Sequence, residues 1–180
     1  MTESDIHKLL ADNDLFKKRY EVMIPNCFTS MDNEADVLAI RKSGICDEFE
    51  IKVSRSDFLN DAKKIVRYRA SDITSGEDNR WFSTDKNNRS ILAPWELYKP
   101  DALIKGYMTC NYFWFVLKDG IALVDEVPKF AGLIFVSEDN RLNIVRWPEK
   151  LKREKLSFEE RYQYSLKLNN RYWGSRDFPL

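Results

Sequence analysis

The chain has 180 residues, with 29 basic and 29 acidic side chains, one histidine and three cysteines. This length suits one domain with a sizeable core, and a content of 43% hydrophobic and 13% aromatic residues excludes general disorder. A formal charge of zero excludes a strongly basic nucleic-acid coat but not a local basic patch, and a single histidine argues against histidine-rich metal sites and most catalytic triads.

Cysteine usage and apolar runs indicate the compartment. Cys27, Cys46 and Cys110 are widely spaced and include no CxxC pair, so neither a zinc site nor a disulfide framework is predicted. The N-terminus lacks the apolar stretch of a signal peptide, and the longest apolar runs, 112–117 and 131–136, are too short to cross a membrane. We therefore expect a soluble, cytoplasmic protein with reduced thiols and no membrane partner.

Hydrophobic periodicity divides the chain into helices and strands around one long insertion. In chain order the predicted elements are helix 4–18, strands 20–24, 35–40 and 46–53, helix 54–70, an insertion at 71–105, strands 112–117, 133–136 and 142–146, and helix 157–168 in a C-terminal tail at 149–180. The insertion carries tryptophans that a disordered linker would rarely hold, so we expect it to be partly ordered and to pack on the domain. This order predicts a single α/β domain over 1–180, with a mixed sheet flanked by helices.

The predicted strand at 46–53 has one apolar face and one charged face, because successive side chains of a strand point to opposite sides. The apolar positions are Phe49, Ile51 and Val53. The charged positions are Glu48, Glu50 and Lys52. One interpretation is a solvated face, on which a Glu50–Lys52 pair contributes less than about 1 kcal/mol.

Asp36 supports a second interpretation. Antiparallel pairing of 35–40 with 46–53 through a turn at 41–44 brings Asp36 beside about position 50. Asp36 and Glu50 would then ligate Mg²⁺ or Mn²⁺, since hard cations bind a few carboxylates together with water and substrate phosphate. Lys52, on the same face as Glu50, would orient an attacking water or stabilise the charge that develops on the phosphate. This combination predicts phosphodiester hydrolysis that needs no histidine.

At this point the sequence resembles a known family. Asp36, followed after thirteen residues by Glu50-Ile51-Lys52 and flanked by two predicted helices, resembles the PD-(D/E)xK nuclease superfamily. The segment EIKVSRSDFLND at 50–61 is similar to the signature of its MmcB-like branch, which is found among bacterial and phage proteins linked to DNA repair. Three later segments are also similar to that branch: 112–116, 127–134 and 141–145.

The resemblance implies a restriction-endonuclease-like core that acts on DNA phosphodiesters, in DNA repair or in phage–host conflict. It implies that Asp36 and Glu50 ligate Mg²⁺ (or Mn²⁺) and that Lys52 is the catalytic lysine. Many members also carry an acid on the first helix. The sequence does not mark that acid clearly, and Glu3 and Glu21 are the two candidates.

A basic segment follows the motif. Residues 51–70 hold six basic and two acidic side chains, so this segment is a candidate for salt-sensitive contacts with DNA phosphates. The candidate DNA-binding residues are Arg55, Lys63, Lys64 and Arg67. A solvated helix face is the alternative interpretation. The competing function is a catalytically inert protein of the same fold that binds a partner protein or DNA, and the sequence also leaves a homodimer open.

Overall fold

The structure is a computed structural model and describes residues 1–67 and 96–174. In these residues the helices are α1 (Glu3–Asp12), α2 (Asp14–Arg19), α3 (Arg55–Asp61), α4 (Lys99–Ile104) and α5 (Phe158–Gly174), with one 3₁₀ turn at Val124–Glu126. The strands are β1 (Val22–Phe28), β2 (Glu34–Ile40), β3 (Cys46–Lys52), β4 (Ile65–Arg67), β5 (Glu96–Tyr98), β6 (Tyr112–Lys118), β7 (Gly132–Val136) and β8 (Leu142–Arg146).

Six strands form one mixed sheet in the order β1-β2-β3-β6-β7-β8. The central pairs β3–β6 and β6–β7 are parallel, and the outer pairs are antiparallel. β4 and β5 form a separate antiparallel pair. The predicted α/β fold, a mixed sheet flanked by helices, is therefore confirmed.

The two faces of the sheet bury different clusters. On the first face α1 and α2 contribute Ile6 and Phe16, which belong to the same buried cluster as Phe49, Ile51 and Trp114. Phe49 and Trp114 stack there with ring centroids 5.8 Å apart. The predicted apolar side of β3 is thus a core face, and it anchors the strand that carries the candidate site on its opposite side.

The second face packs against α3 and α4. Phe113 and Phe115 of β6 belong to a buried cluster with Phe58 of α3 and Leu103 of α4. The ring centroids of Phe58 and Phe115 lie 5.6 Å apart in an edge-to-face arrangement, and those of Phe113 and Phe115 lie 5.1 Å apart. These contacts fix two helices over the charged side of β3, and this arrangement encloses the site.

The N-terminal helix differs from the prediction. Instead of one helix over 4–18 there are two, because Asn13 leaves the helical conformation and its side-chain oxygen accepts the N–H groups of Leu15 and Phe16. Asn13 therefore ends α1 and caps α2. Thr2 is the N-cap of α1.

The second predicted helix is also shorter than expected. α3 ends at Asp61, and the chain turns before β4 because the N–H of Lys63 bonds to Asn60 O and that of Lys64 bonds to Asp61 O. The β-branched residues that follow extend and pair with β5. A helix over 54–70 is therefore wrong beyond 61, and 68–70 lie outside the described residues.

The insertion and the tail are partly covered by the structure. Of the predicted insertion at 71–105, only 96–105 falls within the described residues, and it contains β5 and α4, whose Ala102 and Leu103 are buried. The tail helix is confirmed and is longer than predicted, ending at Gly174 rather than at 168. In the described parts of the chain, no helix combines the length and the apolar character needed to cross a membrane.

Candidate functional site

The charged side of β3 is buried under the helices. Glu48, Glu50 and Lys52 expose 0%, 1% and 7% of their surface. The interpretation of this row as a solvated face is therefore wrong. Buried charges are costly unless they are paired and hydrogen-bonded, so their partners define the site.

Glu50 lies at the centre of the cluster with both carboxylate oxygens engaged. Oε1 accepts a hydrogen bond from Lys52 Nζ at 2.6 Å, and Oε2 accepts one from Lys99 Nζ at 2.5 Å. Lys64 Nζ is 3.9 Å from Oε1. Burial alone would raise the pKa of Glu50, but the three ammonium groups together hold it below its usual range. Glu50 is therefore ionised at neutral pH.

Lys99 is the second cation on Glu50 and is completely buried. Its ammonium also lies 3.2 Å from Glu48 Oε1 and 4.9 Å from the centroid of the Phe113 ring. Burial would lower the pKa of Lys99, but the charges of Glu50 and Glu48 raise it above its usual value. Lys99 comes from α4, 49 residues from Glu50, and sequence reasoning missed it because no local pattern marks it.

Glu48 completes a rigid support for Lys99. Its Oε1 accepts a hydrogen bond of 2.9 Å from Nδ2 of the buried Asn33, which precedes β2. Its Oε2 is buried and has no hydrogen-bond partner among the described residues. Asn33 and Lys99 therefore both contact Oε1 of Glu48, and Glu48 is not a surface residue.

Asp36 lies opposite Glu50, as the predicted turn and register require. β2 pairs with β3 through Val37 and Phe49, so the next antiparallel position places Asp36 across from Glu50. The ladder ends here, and Asp36 Oδ2 accepts the Ile51 N–H at 2.6 Å. Burial and the adjacent Glu50 charge raise the pKa of Asp36 to about 7. The two predicted metal ligands thus interact, and the predicted pairing is confirmed.

Asp61 of α3 adds a third carboxyl group to the cluster. Its side chain is 5% exposed, and Oδ1 lies 3.9 Å from Lys52 Nζ without accepting a hydrogen bond. Burial raises the pKa of Asp61 to about 6; Lys99 acts against this shift and Glu50 adds to it. The triplet Asp61-Ala62-Lys63 drew no functional prediction. Asp61 follows the buried Phe58 by three residues, and residues three apart share one face of a helix, so this spacing indicates that Asp61 lies on the inner face of α3.

Lys52 is the more accessible of the two lysines that bind Glu50. Besides Glu50, its ammonium lies 3.6 Å from Asp57 Oδ2 and 3.9 Å from Asp61 Oδ1. Burial opposes the charge, but Glu50 above all raises the pKa of Lys52. The ammonium group of Lys52 is therefore shared among three carboxyl groups.

The two candidates for the acid on the first helix, Glu3 and Glu21, lie in different places. Glu3 lies on α1, and its charge contributes to the raised pKa of Asp36. Glu21 precedes β1 and forms an ion pair of 3.6 Å with Arg161 of α5. The structure therefore brings Glu3, and not Glu21, towards Asp36.

The four predicted DNA-binding residues have different partners. Arg55 makes two hydrogen bonds to the carboxylate of Glu126, at 2.7 and 2.5 Å. Arg67 is bound to Glu96 at 2.6 Å. Lys63 is exposed and makes no ion pair with residues 1–67 or 96–174, whereas Lys64 points to the site. Of the four, Lys64 is the one placed beside Glu50.

The chemistry of the carboxyl groups is compatible with Mg²⁺ or Mn²⁺. Mg²⁺ is commonly held by one or two carboxylates, with water and substrate phosphate completing its ligands, and Asp36 and Glu50 provide such a pair. Burial and the charge of Glu50 raise the pKa of Asp36, and a divalent cation at this carboxyl would oppose that rise. Within 1–67 and 96–174 no group of three or more His, Cys, Asp or Glu side chains is arranged to hold a metal ion. A cation at this site would therefore depend on the Asp36–Glu50 pair and on water or substrate oxygens.

Comparisons with known proteins give one informative similarity. No family model matches the chain, and no curated protein matches it. Among solved structures, the chain is similar to the "SPO1766 protein of unknown function from Silicibacter pomeroyi", with a TM-score of 0.54 and 16% sequence identity over 93% of this chain and 84% of that chain. A likeness at this level of identity shows a shared α/β fold and carries no statement about activity.

Proposed function

We propose that the protein is a nuclease that hydrolyses DNA phosphodiesters with Mg²⁺ or Mn²⁺ at Asp36 and Glu50 and with Lys52 as the catalytic lysine. The observation that supports this proposal best is the position of Glu50: an ionised, buried carboxylate, opposite Asp36 and hydrogen-bonded to Lys52 at 2.6 Å. Perturbed titratable groups cluster at functional sites, and here Asp36, Glu50 and Lys52 all have shifted pKa values.

In this proposal the two carboxylates and the lysine have different roles. Asp36 and Glu50 would hold the cation, and Oε1 of Glu50 would become available to it when Lys52 moves to the phosphate, whereas Lys99 stays on Oε2. When bound, the ion polarises the phosphate and lowers the pKa of a water molecule. Lys52 exchanges Glu50 for a phosphate oxygen or for the attacking water, and its charge stabilises the transition state. Burial strengthens each of these interactions, because the site excludes bulk water.

The test is a cleavage panel. Supercoiled plasmid, single-stranded DNA and branched DNA are incubated with the protein plus Mg²⁺, Mn²⁺ or EDTA. We expect cleavage that needs the divalent cation and that Glu50→Gln abolishes, while Lys18→Met, a change at an exposed lysine of α2 on the opposite face of the sheet, retains the wild-type rate. Absence of cleavage on every substrate with either metal would refute the proposal, as would equal rates for wild type and Glu50→Gln.

A second candidate function is binding without catalysis, to a partner protein or to DNA. It is favoured by one observation: both oxygens of Glu50 are already neutralised by lysines, as in a structural ion cluster. In that case Glu50→Gln would change stability, no divalent cation would bind at Asp36, and the cleavage panel would be negative. Titration calorimetry with Mn²⁺ on wild type and Asp36→Asn separates the two functions, since only a metal site loses its heat signal in the variant.

A further inference from the structure

A cavity of about 330 Å³ opens beside the candidate site, between α3, α4 and the segment that leads into β7. Its walls are mostly aromatic and apolar, and include Phe58, Phe113, Phe115, Phe130 and Leu103. Its volume lies at the lower end of the usual range for ligand clefts, about 300–1,000 Å³. A cavity of this size is too small for a helix or a duplex. The cavity is therefore suited to a single ring system.

The sheet register places this cavity next to the carboxylates. Glu50 is the parallel partner of Phe115, and Glu48 is the partner of Phe113, so these side chains share one face of the sheet. Neighbouring strands lie about 4.8 Å apart, so the carboxylates are adjacent to the aromatic rings that line the cavity. A nucleotide whose phosphate lies at Glu50 and Lys52 would therefore direct its base at the cavity.

One buried polar side chain of the cavity wall has an oxygen without a hydrogen-bond partner in the described part of the chain. Asp61 lines it, and Asp61 Oδ1 is buried and accepts no hydrogen bond among the described residues. This oxygen lies 3.9 Å from Lys52 Nζ, and a buried acceptor without a hydrogen bond is costly unless a donor satisfies it. Every unpaired nucleobase carries a flat ring and either a ring N–H or an exocyclic amine. The ring can pack against the aromatic walls, and the N–H group can donate a hydrogen bond to Asp61.

We propose that this cavity binds one unpaired nucleobase of the strand whose phosphate lies at Glu50 and Lys52. The substrate would then be single-stranded DNA, or duplex DNA with an unpaired or everted nucleotide at the cleavage position. Phe130 and the rings beneath it contact the base, and Asp61 Oδ1 accepts a hydrogen bond from its edge. This inference rests on the proposed function for the placement of the phosphate.

Binding and crosslinking test the inference without cleavage. The probe is a fluorescein-labelled oligothymidylate that carries one 5-iodouracil, in buffer with EDTA and, separately, with Ca²⁺. Irradiation is expected to crosslink the iodouracil to an aromatic residue of the cavity, identified by peptide mass spectrometry. A crosslink that maps elsewhere on the protein would overturn the inference, and so would the absence of binding in both buffers.

Two matched variants test the same cavity by fluorescence anisotropy. Ala62→Trp, directly after α3, fills the cavity from its exposed rim, and Asn60→Trp adds the same bulk to the exposed side of α3. We expect Ala62→Trp to weaken binding roughly tenfold, as loss of one base-stacking contact does, and Asn60→Trp to leave it within about threefold. Circular dichroism checks that both variants fold. Equal affinities for the two variants would overturn the inference.

The outcomes also separate this inference from the proposed function. If the cavity binds the base but no substrate is cleaved, the nuclease proposal fails and the base site stands. If DNA is cleaved and Ala62→Trp cleaves and binds like Asn60→Trp, the nuclease proposal stands and the base site is refuted.

Discussion

Replacing Lys99 by methionine tests whether the buried charges depend on one another. The change keeps most of the apolar stem but removes an ammonium that lies 2.5 Å from Glu50 and 3.2 Å from Glu48. Removing one partner of a buried ion pair costs about 3–5 kcal/mol, because the other charge stays buried and uncompensated. Such a loss is a large part of a typical total stability of about 5–15 kcal/mol.

The stability lost in Lys99→Met should depend on pH. The pKa of Lys99 is raised in the folded protein, so its contribution is fully present below its unfolded pKa and is lost only as the pH rises through the folded value. At pH 7.5 the full loss is therefore expected. In the variant, Glu50 takes up a proton more easily because the ammonium group of Lys99 no longer lowers its pKa, so the loss should be smaller at pH 5.

Urea unfolding, followed by circular dichroism at both pH values, measures this loss. Lys64→Met is the matched control, because Lys64 lies 3.9 Å from the same carboxylate but is partly exposed, so its removal should cost less than about 1 kcal/mol. The reasoning is refuted if Lys99→Met unfolds within 1 kcal/mol of wild type. It is also refuted if the difference does not depend on pH.

Three further predictions concern the strand ends and the core. Asp36→Asn should be more stable than wild type at pH 8 by on the order of 2 kcal/mol, and about equal at pH 4, when unfolding is measured without divalent ions. Because the pKa of Asp36 is raised to about 7 in the folded protein, the wild type loses stability as the pH rises from about 4 to 7. An asparagine at this position does not titrate, and its side-chain oxygen still accepts the Ile51 N–H. Unfolding free energies of wild type and variant that change in parallel with pH would contradict this prediction. Gly132→Ala should destabilise the protein by at least about 1–3 kcal/mol in thermal unfolding, since a Cβ there would overlap the buried Trp114 indole, and an unchanged melting temperature would contradict this packing. Gly44→Ala should cost at least about 1–2 kcal/mol, because Gly44 has φ +82° and a Cβ would lie 2.5 Å from the Leu156 carbonyl oxygen; a neutral effect would exclude this turn.

Local patterns were enough to predict the part of the site that lies on adjacent strands. The alternation of apolar and charged side chains along 46–53 places Phe49 and Glu50 on opposite faces of the sheet. The turn at 41–44 sets the register that brings Asp36 opposite Glu50. Both follow from a period of two and a short connection, so they need no knowledge of the rest of the chain.

The remaining part depends on contacts distant in sequence. The prediction left open whether Glu50 and Lys52 are solvated, and their burial follows from α3 and α4 packing over them. Lys99 reaches Glu50 across 49 residues and belongs to a helix that periodicity did not predict. Asn13 shows the same limit on a smaller scale, since a side chain that binds the backbone N–H groups of α2 splits what the apolar spacing presents as one helix.

The central claim is that Lys52 acts on the phosphate once a cation is held by Asp36 and Glu50. Its most direct test is the single-turnover rate of cleavage, with saturating Mg²⁺ and the best substrate of the panel, for wild type, Lys52→Met and Lys18→Met. We predict that Lys52→Met lowers this rate by roughly 10²–10³-fold, as loss of one group that stabilises the transition state does, while Lys18→Met cleaves at the wild-type rate. Equal rates for Lys52→Met and wild type would contradict the claim.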